Sequence, residues 1–133
     1  HEPIHGYKEK VYFHKMAVDS KGYAYAGIVN PRLNMGIYVK YRVDELNRFI
    51  EWKMMGEQFY VIGIEPSNCL VLGRAREREL GTLQYIEPEE TREFHLEVNI
   101  MSSKEEIENF IKLIRNIVST KPKLIDSLEK FIK

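Results

Sequence analysis

The chain has 133 residues, the size of one ordinary domain, with 44% hydrophobic and 30% charged residues. This composition indicates a folded globular protein rather than a disordered one. Lys and Arg together number 20, and so do Asp and Glu. The zero net charge gives no general attraction to nucleic acid or to an anionic membrane, and we expect neither as a partner.

Cysteine usage and hydropathy set further bounds. Cys69 is the only cysteine, so no intrachain disulfide can form, and a reducing, cytoplasmic setting is expected. No apolar run approaches the roughly 20 residues of a membrane span, and no signal peptide is visible. The sequence opens on His1 and not on Met, so we expect the gene product to start upstream.

The first two thirds of the chain have the turn and strand pattern of an antiparallel β protein. Residues 11–18 and 23–29 are strand-like and are separated by a turn, which predicts a hairpin. Residues 93–100 alternate apolar and polar side chains, which predicts a half-buried strand with Phe94, Leu96, Val98 and Ile100 on its apolar side. Other strands are predicted at residues 35–41, 48–54, 58–64 and 82–86, and a helical turn or loop at 74–80.

The C-terminal part of the chain has a helical pattern instead. Ser103 and Glu106 have the spacing of a capping box, and apolar residues recur at helical intervals through residues 107–118. Pro122 interrupts this pattern, which resumes at residues 124–132. We therefore expect a C-terminal α-helical hairpin that packs on the sheet or on a partner.

Glu65 is the charged residue whose position is hardest to explain by folding alone. It follows the apolar run 59–62 and precedes Pro66, so a carboxylate comes directly after a predicted buried strand. Burying an unpaired carboxylate costs roughly several kcal/mol. Three interpretations remain open: a cationic or hydrogen-bonding partner, a cavity in which the basicity of the carboxylate is used, or a strand end that faces water.

Metal, nucleophile and phosphate sites have no support in the sequence. The four histidines, His1, His5, His14 and His95, lack the spacing of metal ligands, and we expect no metal and no cofactor. A nucleophile elbow and a glycine-rich phosphate loop are both missing, and Cys69 has no base close to it in sequence.

Two other groups each have a functional and a structural interpretation. Trp52 is flanked by Glu51 and Lys53, and it either offers an aromatic surface to a sugar or belongs to the core. Arg74 begins a run of alternate arginines at 74–78, and it either meets Glu65 or an anionic ligand, or is solvated.

Several segments come in the order of one known family. They are Asn30-Pro31, Glu51-Trp52-Lys53-Met54-Met55-Gly56-Glu57, Tyr60-Val61-Ile62-Gly63-Ile64-Glu65-Pro66-Ser67-Asn68-Cys69, Gly73-Arg74, Glu77-Arg78, Gly81-Thr82-Leu83 and Glu87-Pro88. On these segments, from about residue 9 to residue 100, the sequence resembles the C-terminal part of aldose 1-epimerase-like proteins, in an uncharacterised branch with the galactose-mutarotase fold. The motif around Glu65 is the most specific part of the resemblance.

The resemblance implies a mainly β fold. Residues 1–101 would be the C-terminal portion of an antiparallel β-sandwich, the galactose mutarotase-like supersandwich, and residues 102–133 the helices. Mutarotases interconvert the anomers of a sugar, with a late glutamate as general base and an earlier histidine as general acid. By resemblance Glu65 is the base. Substrate-binding residues implied in the same way are Asn68, Arg74, Trp52, Lys53 and His14.

The resemblance also implies an incomplete site, because the acid histidine of the family lies upstream of His1. The chain alone is therefore expected to be inactive and to need its missing N-terminal half or a partner chain, with a homo-oligomer also compatible. The ligand would be a monosaccharide or sugar derivative. One alternative is a non-catalytic carbohydrate-binding β-sandwich domain. Another is an interaction module built on the C-terminal helices.

Overall fold

The structure, a computed structural model, describes residues 2–132. Six strands and three helices follow one another along the described chain. They are β1 (Lys10–His14), β2 (Tyr23–Asn30), β3 (Met35–Arg42), β4 (Arg48–Met55), β5 (Tyr60–Ser67), α1 (Arg74–Glu79), β6 (Leu96–Met101), α2 (Lys104–Ile117) and α3 (Leu128–Ile132). Six of the seven predicted strands correspond to observed strands, with ends that differ by up to four residues, and α1 lies where a helical turn or loop was predicted. Residues 82–86 form no strand.

The strands form two antiparallel three-stranded sheets. Sheet 1 has the order β1-β4-β5, and sheet 2 has the order β2-β3-β6. The predicted hairpin between the first two strands is wrong, because β1 pairs with β4 and β2 pairs with β3. Residues 15–18 lie outside any strand, so the chain crosses from one sheet to the other there. Alternation in a sequence shows which face a residue occupies, and it does not show which strand lies alongside.

The hydrophobic core lies between the two sheets. Ala24, Val39 and Tyr41 of sheet 2 pack with Phe49 of sheet 1 and with Leu46 from the connection between β3 and β4. The rings of Tyr41 and Phe49 are stacked, with centroids 6.3 Å apart. Burial raises the pKa of the Tyr41 hydroxyl. This packing identifies the side of sheet 1 that carries Phe49 as its inner face.

The helices cover the outer faces of the sandwich. In α2, the Phe110 ring stacks on Tyr38 of β3 at 4.6 Å, and a Cβ on Gly27 of β2 would come within 3.0 Å of that same ring. In α3, Phe131 lies against Phe13 of β1 with ring centroids 6.1 Å apart. The second predicted helix is shorter than expected, because residues 124–127 are not helical. The described helices include none that is long and apolar enough to cross a membrane.

One apolar surface of sheet 2 is left open. Leu96, Val98 and Ile100 of β6 share a face with the core residue Val39, yet Val98 is 64% and Ile100 is 71% exposed. The prediction that residues 93–100 are half-buried on their apolar side is therefore wrong for the described chain. The neighbouring Ile37 of β3 is also exposed. Contiguous exposed apolar surface of this kind is typical of interaction sites.

Candidate functional site

Glu65 lies inside strand β5 and not after it, which corrects the sequence prediction. The strand continues through Pro66 to Ser67. A proline is tolerated here because β5 is the edge strand of sheet 1 and needs no backbone donor on its free side. Alternation places Gly63, Glu65 and Ser67 on one face. Pro66 is paired with the core residue Phe49 and so lies on the inner face of sheet 1. Glu65, Gly63 and Ser67 therefore lie on its outer face.

The strand register brings Trp52 to the same outer face. Trp52 of β4 is paired directly with Gly63 of β5 and with Val11 of β1. The Glu65 side chain folds back along its strand, and a Cβ on Gly63 would collide with its Oε1. The carboxylate therefore occupies the space that a side chain at position 63 would fill, directly across from Trp52. The indole and the carboxylate together define the candidate site, which we call the Glu65 site.

A second carboxylate orients the indole. Nε1 of Trp52 donates a hydrogen bond to Oε2 of Glu9 at 2.8 Å. Glu9 immediately precedes β1, whose Val11 is the other strand partner of Trp52. The sequence analysis missed Glu9, because only the pairing of β1 with β4 brings it near Trp52, and no local pattern contains that pairing.

The Glu65 carboxylate has no partner in the part of the chain that the structure describes. It is half-buried, and among residues 2–132 it makes no hydrogen bond or ion pair with another side chain. The interpretation that it has a cationic partner, Arg74 included, finds no support in the described chain. A half-buried carboxylate without a partner remains available to accept a proton or a hydrogen bond from a ligand.

Asn68 and Arg74 lie on the segment that follows β5. Asn68 is half-buried and comes directly after Ser67, which shares the face of Glu65. The Ser67 hydroxyl accepts a hydrogen bond from the backbone N–H of Cys69 at 3.2 Å and so bends the chain at this point. Arg74 is exposed at the start of α1.

His14 and Lys53 lie on the opposite face of sheet 1. Lys53 is paired with Lys10 and belongs to the same face as Phe49. His14 packs the edge of its ring on Phe49 at 5.5 Å, and its Nε2 lies 3.3 Å from a carboxylate oxygen of Glu51. The structure thus brings Trp52 and Glu65 together and separates His14 and Lys53 from them by the thickness of the sheet.

Glu65 and Trp52 line neither of the two described cavities. Two cavities of about 370 and 300 Å³ lie elsewhere, one between α2 and sheet 2 and one beside the connection between β3 and β4. Among residues 2–132, no group of three or more His, Cys, Asp or Glu side chains is placed to hold a metal ion.

The two antiparallel sheets have an aldose 1-epimerase-like fold. The structure superposes on the crystal structure of a "putative aldose 1-epimerase" from Klebsiella pneumoniae subsp. pneumoniae MGH 78578 with a TM-score of 0.81 and 21% sequence identity. The match covers 87% of this chain and 31% of that chain, so this chain spans about a third of the length of the solved protein. At this identity the likeness shows the fold and carries no information on activity.

The sequence itself places the chain in a family. Residues 1–100 match the family described as a domain of unknown function (DUF4432), and the chain belongs to that family. No curated protein matches the sequence. The resemblance found in the sequence is confirmed at the level of the fold, and α2 and α3 lie beyond the residues that the family match covers.

Proposed function

We propose that this chain carries the base half of a site that interconverts the anomers of a monosaccharide or sugar derivative. In this proposal the Glu65 carboxylate takes the proton from the anomeric hydroxyl. The observation that supports it most directly is the half-buried Glu65 carboxylate, which lies across from the Trp52 indole and has no partner among residues 2–132.

The proposed chemistry needs a base and an acid on opposite sides of the sugar ring. Loss of the anomeric proton and protonation of the ring oxygen open the ring, the C1–C2 bond rotates, and the ring closes on the other face. Glu65 supplies the base. The Trp52 indole offers an apolar surface to the C–H face of a sugar, and Asn68 and Arg74 offer hydrogen bonds to its hydroxyl groups or to an anionic substituent.

The acid of this reaction is proposed to come from outside the chain. His14 faces the core side of sheet 1, and His95 precedes β6 in the other sheet. We infer that the rest of a longer sandwich, or a partner chain, packs against this chain, covers the open surface of sheet 2, and brings the acid to Glu65 on the outer face of sheet 1. This inference is supported by the exposed side chains of Val98 and Ile100 and by the 31% coverage of the similar solved protein.

Polarimetry of the full-length protein with a panel of aldoses tests the proposal. We expect faster equilibration of the anomers of at least one sugar, and Glu65→Gln should lower that rate about a hundredfold or more. Glu57→Gln is the matched control, because Glu57 is exposed and pairs only with His5 at 2.8 Å. Full activity in Glu65→Gln would contradict the assigned base.

A non-catalytic carbohydrate-binding domain is the second candidate. It is favoured by the absence of a histidine beside Glu65 in the described part of the chain. In that case Glu65 would accept a hydrogen bond from a sugar hydroxyl, as carboxylates in binding sites do. Sugar binding by the full-length protein with no change in the rate of anomer exchange would favour this candidate over the enzyme.

A further inference from the structure

Glu77 in α1 is a charged side chain in an unusual environment. It is 2% exposed, and it is the only buried charged residue among residues 2–132. The helix around it has six residues and no side-chain cap at its start. Such a short helix has little stability of its own, so contacts outside the helix must hold it in place.

The Glu77 carboxylate joins the chain on both sides of α1. Its Oε1 accepts the backbone N–H of Leu70 at 2.6 Å, and its Oε2 accepts the Thr82 hydroxyl at 2.5 Å. The backbone carbonyl of Glu77 also accepts the N–H groups of Thr82 and Leu83. The segment before the helix and the segment after it are therefore both tied to one side chain.

No cation compensates the charge of Glu77 in the described chain. Arg76 is exposed and pairs with Glu79 at 2.9 Å and with Glu129 at 3.4 Å, and Arg78 is exposed as well. Burial of an uncompensated carboxylate costs roughly several kcal/mol, which only short, charge-assisted hydrogen bonds can offset. Glu77 makes two such bonds, both to neutral partners. They indicate that the positions of the segments before and after α1 depend on this carboxylate.

The segment that Glu77 holds carries two of the proposed substrate-binding residues. Asn68 lies two residues before the Leu70 N–H that Glu77 binds, and Arg74 lies one helical turn before Glu77. We propose that Glu77 is a positioning residue, which acts through Leu70 and Thr82 to hold Asn68 and Arg74 beside the sugar site. The proposal rests on the proposed function, and it adds a residue that touches no substrate.

Steady-state kinetics of the full-length protein test this proposal. We expect Glu77→Ala to raise KM about tenfold, the equivalent of one lost substrate hydrogen bond, while kcat changes far less. Glu77→Gln should recover most of the affinity, since its amide oxygen still accepts from Leu70 and its NH₂ can donate to the Thr82 hydroxyl. Glu79→Gln is the control on the same helix and should behave as wild type.

Amide hydrogen exchange supplies a readout that does not depend on the sugar. The Leu70 amide should exchange at least about tenfold faster in Glu77→Ala, with β4 and β5 unchanged. If Glu77→Ala does not fold, Thr82→Val removes one donor to the same carboxylate and should raise KM in the same direction. A wild-type KM in Glu77→Ala, or in Thr82→Val, would overturn the positioning role. Failure of the wild-type protein to bind or interconvert any sugar would instead contradict the proposed function.

Discussion

At the scale of single residues, Gly63 decides where the Glu65 carboxylate lies. The backbone conformation at Gly63 does not require glycine, because its φ is not in the left-handed region. What glycine supplies is space, since a Cβ there would collide with Oε1 of Glu65. The obstructing atoms belong to the end of a flexible side chain, so the conflict would be relieved by moving the carboxylate and not the strand.

Gly63→Ala should therefore impair activity without impairing stability. We expect the anomerisation rate of the full-length protein to fall about ten- to a hundredfold, because small displacements of a catalytic group have effects of that size. The free energy of unfolding should change by less than about 1 kcal/mol. Gly56→Ala is the control, since its added Cβ would make only ordinary contacts at 3.7 and 3.8 Å. Unchanged activity in Gly63→Ala would show that the carboxylate position is not critical.

The sequence predicted part of this arrangement and could not have predicted the rest. The family motif pointed to Glu65, and a lone Trp beside charged residues pointed to Trp52; register places the two on one face of sheet 1, and their roles stay predictions. Glu9 and Glu77 were missed because their roles depend on contacts with Trp52 and Leu70 that no local pattern shows. The resemblance implied that His14 and Lys53 bind substrate with Glu65, but register places them on the other face of the sheet.

At the scale of elements, alternation predicted strands well and their partners poorly. Met35–Arg42 and Arg48–Met55 were found within one residue, because their apolar and aromatic side chains are typical of strands. The strand with Glu65 was cut short at its proline, since edge position, which makes a proline acceptable, is a property of the assembled sheet. The last helix was predicted too long because Leu124 and Ile125 continue its apolar pattern, although both side chains are exposed and lie outside the helix.

A carboxylate tethers the start of β6 to the segment that follows its neighbouring strand β3. Glu45, between β3 and β4, accepts the backbone N–H of His95 at 2.6 Å, and its other oxygen lies 2.9 Å from Nδ1 of the same residue. The backbone bond from His95 is the main reason that the pKa of Glu45 lies below its ordinary value of 4.5. A carboxylate whose pKa is lower in the folded than in the unfolded protein stabilises the fold at pH values above its ordinary pKa. This contribution is lost as the pH falls through the pKa of the folded state.

Acid should therefore loosen the attachment of β6. We expect the stability of the protein to decline as pH falls below about 4.5. Glu45→Gln should be less stable at neutral pH and should show a weaker dependence on pH in this range. Glu93→Gln, at an exposed position nearby, should keep the wild-type profile. Urea unfolding at a series of pH values measures this, and identical profiles for Glu45→Gln and wild type would contradict the tether.

At the scale of the whole molecule, the open surface of sheet 2 is the main departure from a finished sandwich. If the remainder of a longer protein packs there, Ile100 is exposed in the 133-residue chain but buried in the full-length protein. Ile100→Lys should then cost about 2–4 kcal/mol of unfolding free energy in the full-length protein and less than about 0.5 kcal/mol in the 133-residue chain. Leu124→Lys, at a side chain that is 87% exposed, should be neutral in both. Equal small effects at Ile100 in both proteins would mean that the surface stays open.

The central claim is that Glu65 moves a proton on a bound sugar. Two-dimensional exchange NMR of the full-length protein with an aldose tests it most directly, because one spectrum reports both anomer exchange and sugar binding. Cross-peaks between the anomers measure the chemical exchange, and broadening of the sugar signals reports binding. We expect strong cross-peaks with wild type, and with Glu65→Gln the same broadening but exchange reduced about a hundredfold or more. Undiminished cross-peaks with Glu65→Gln would contradict it.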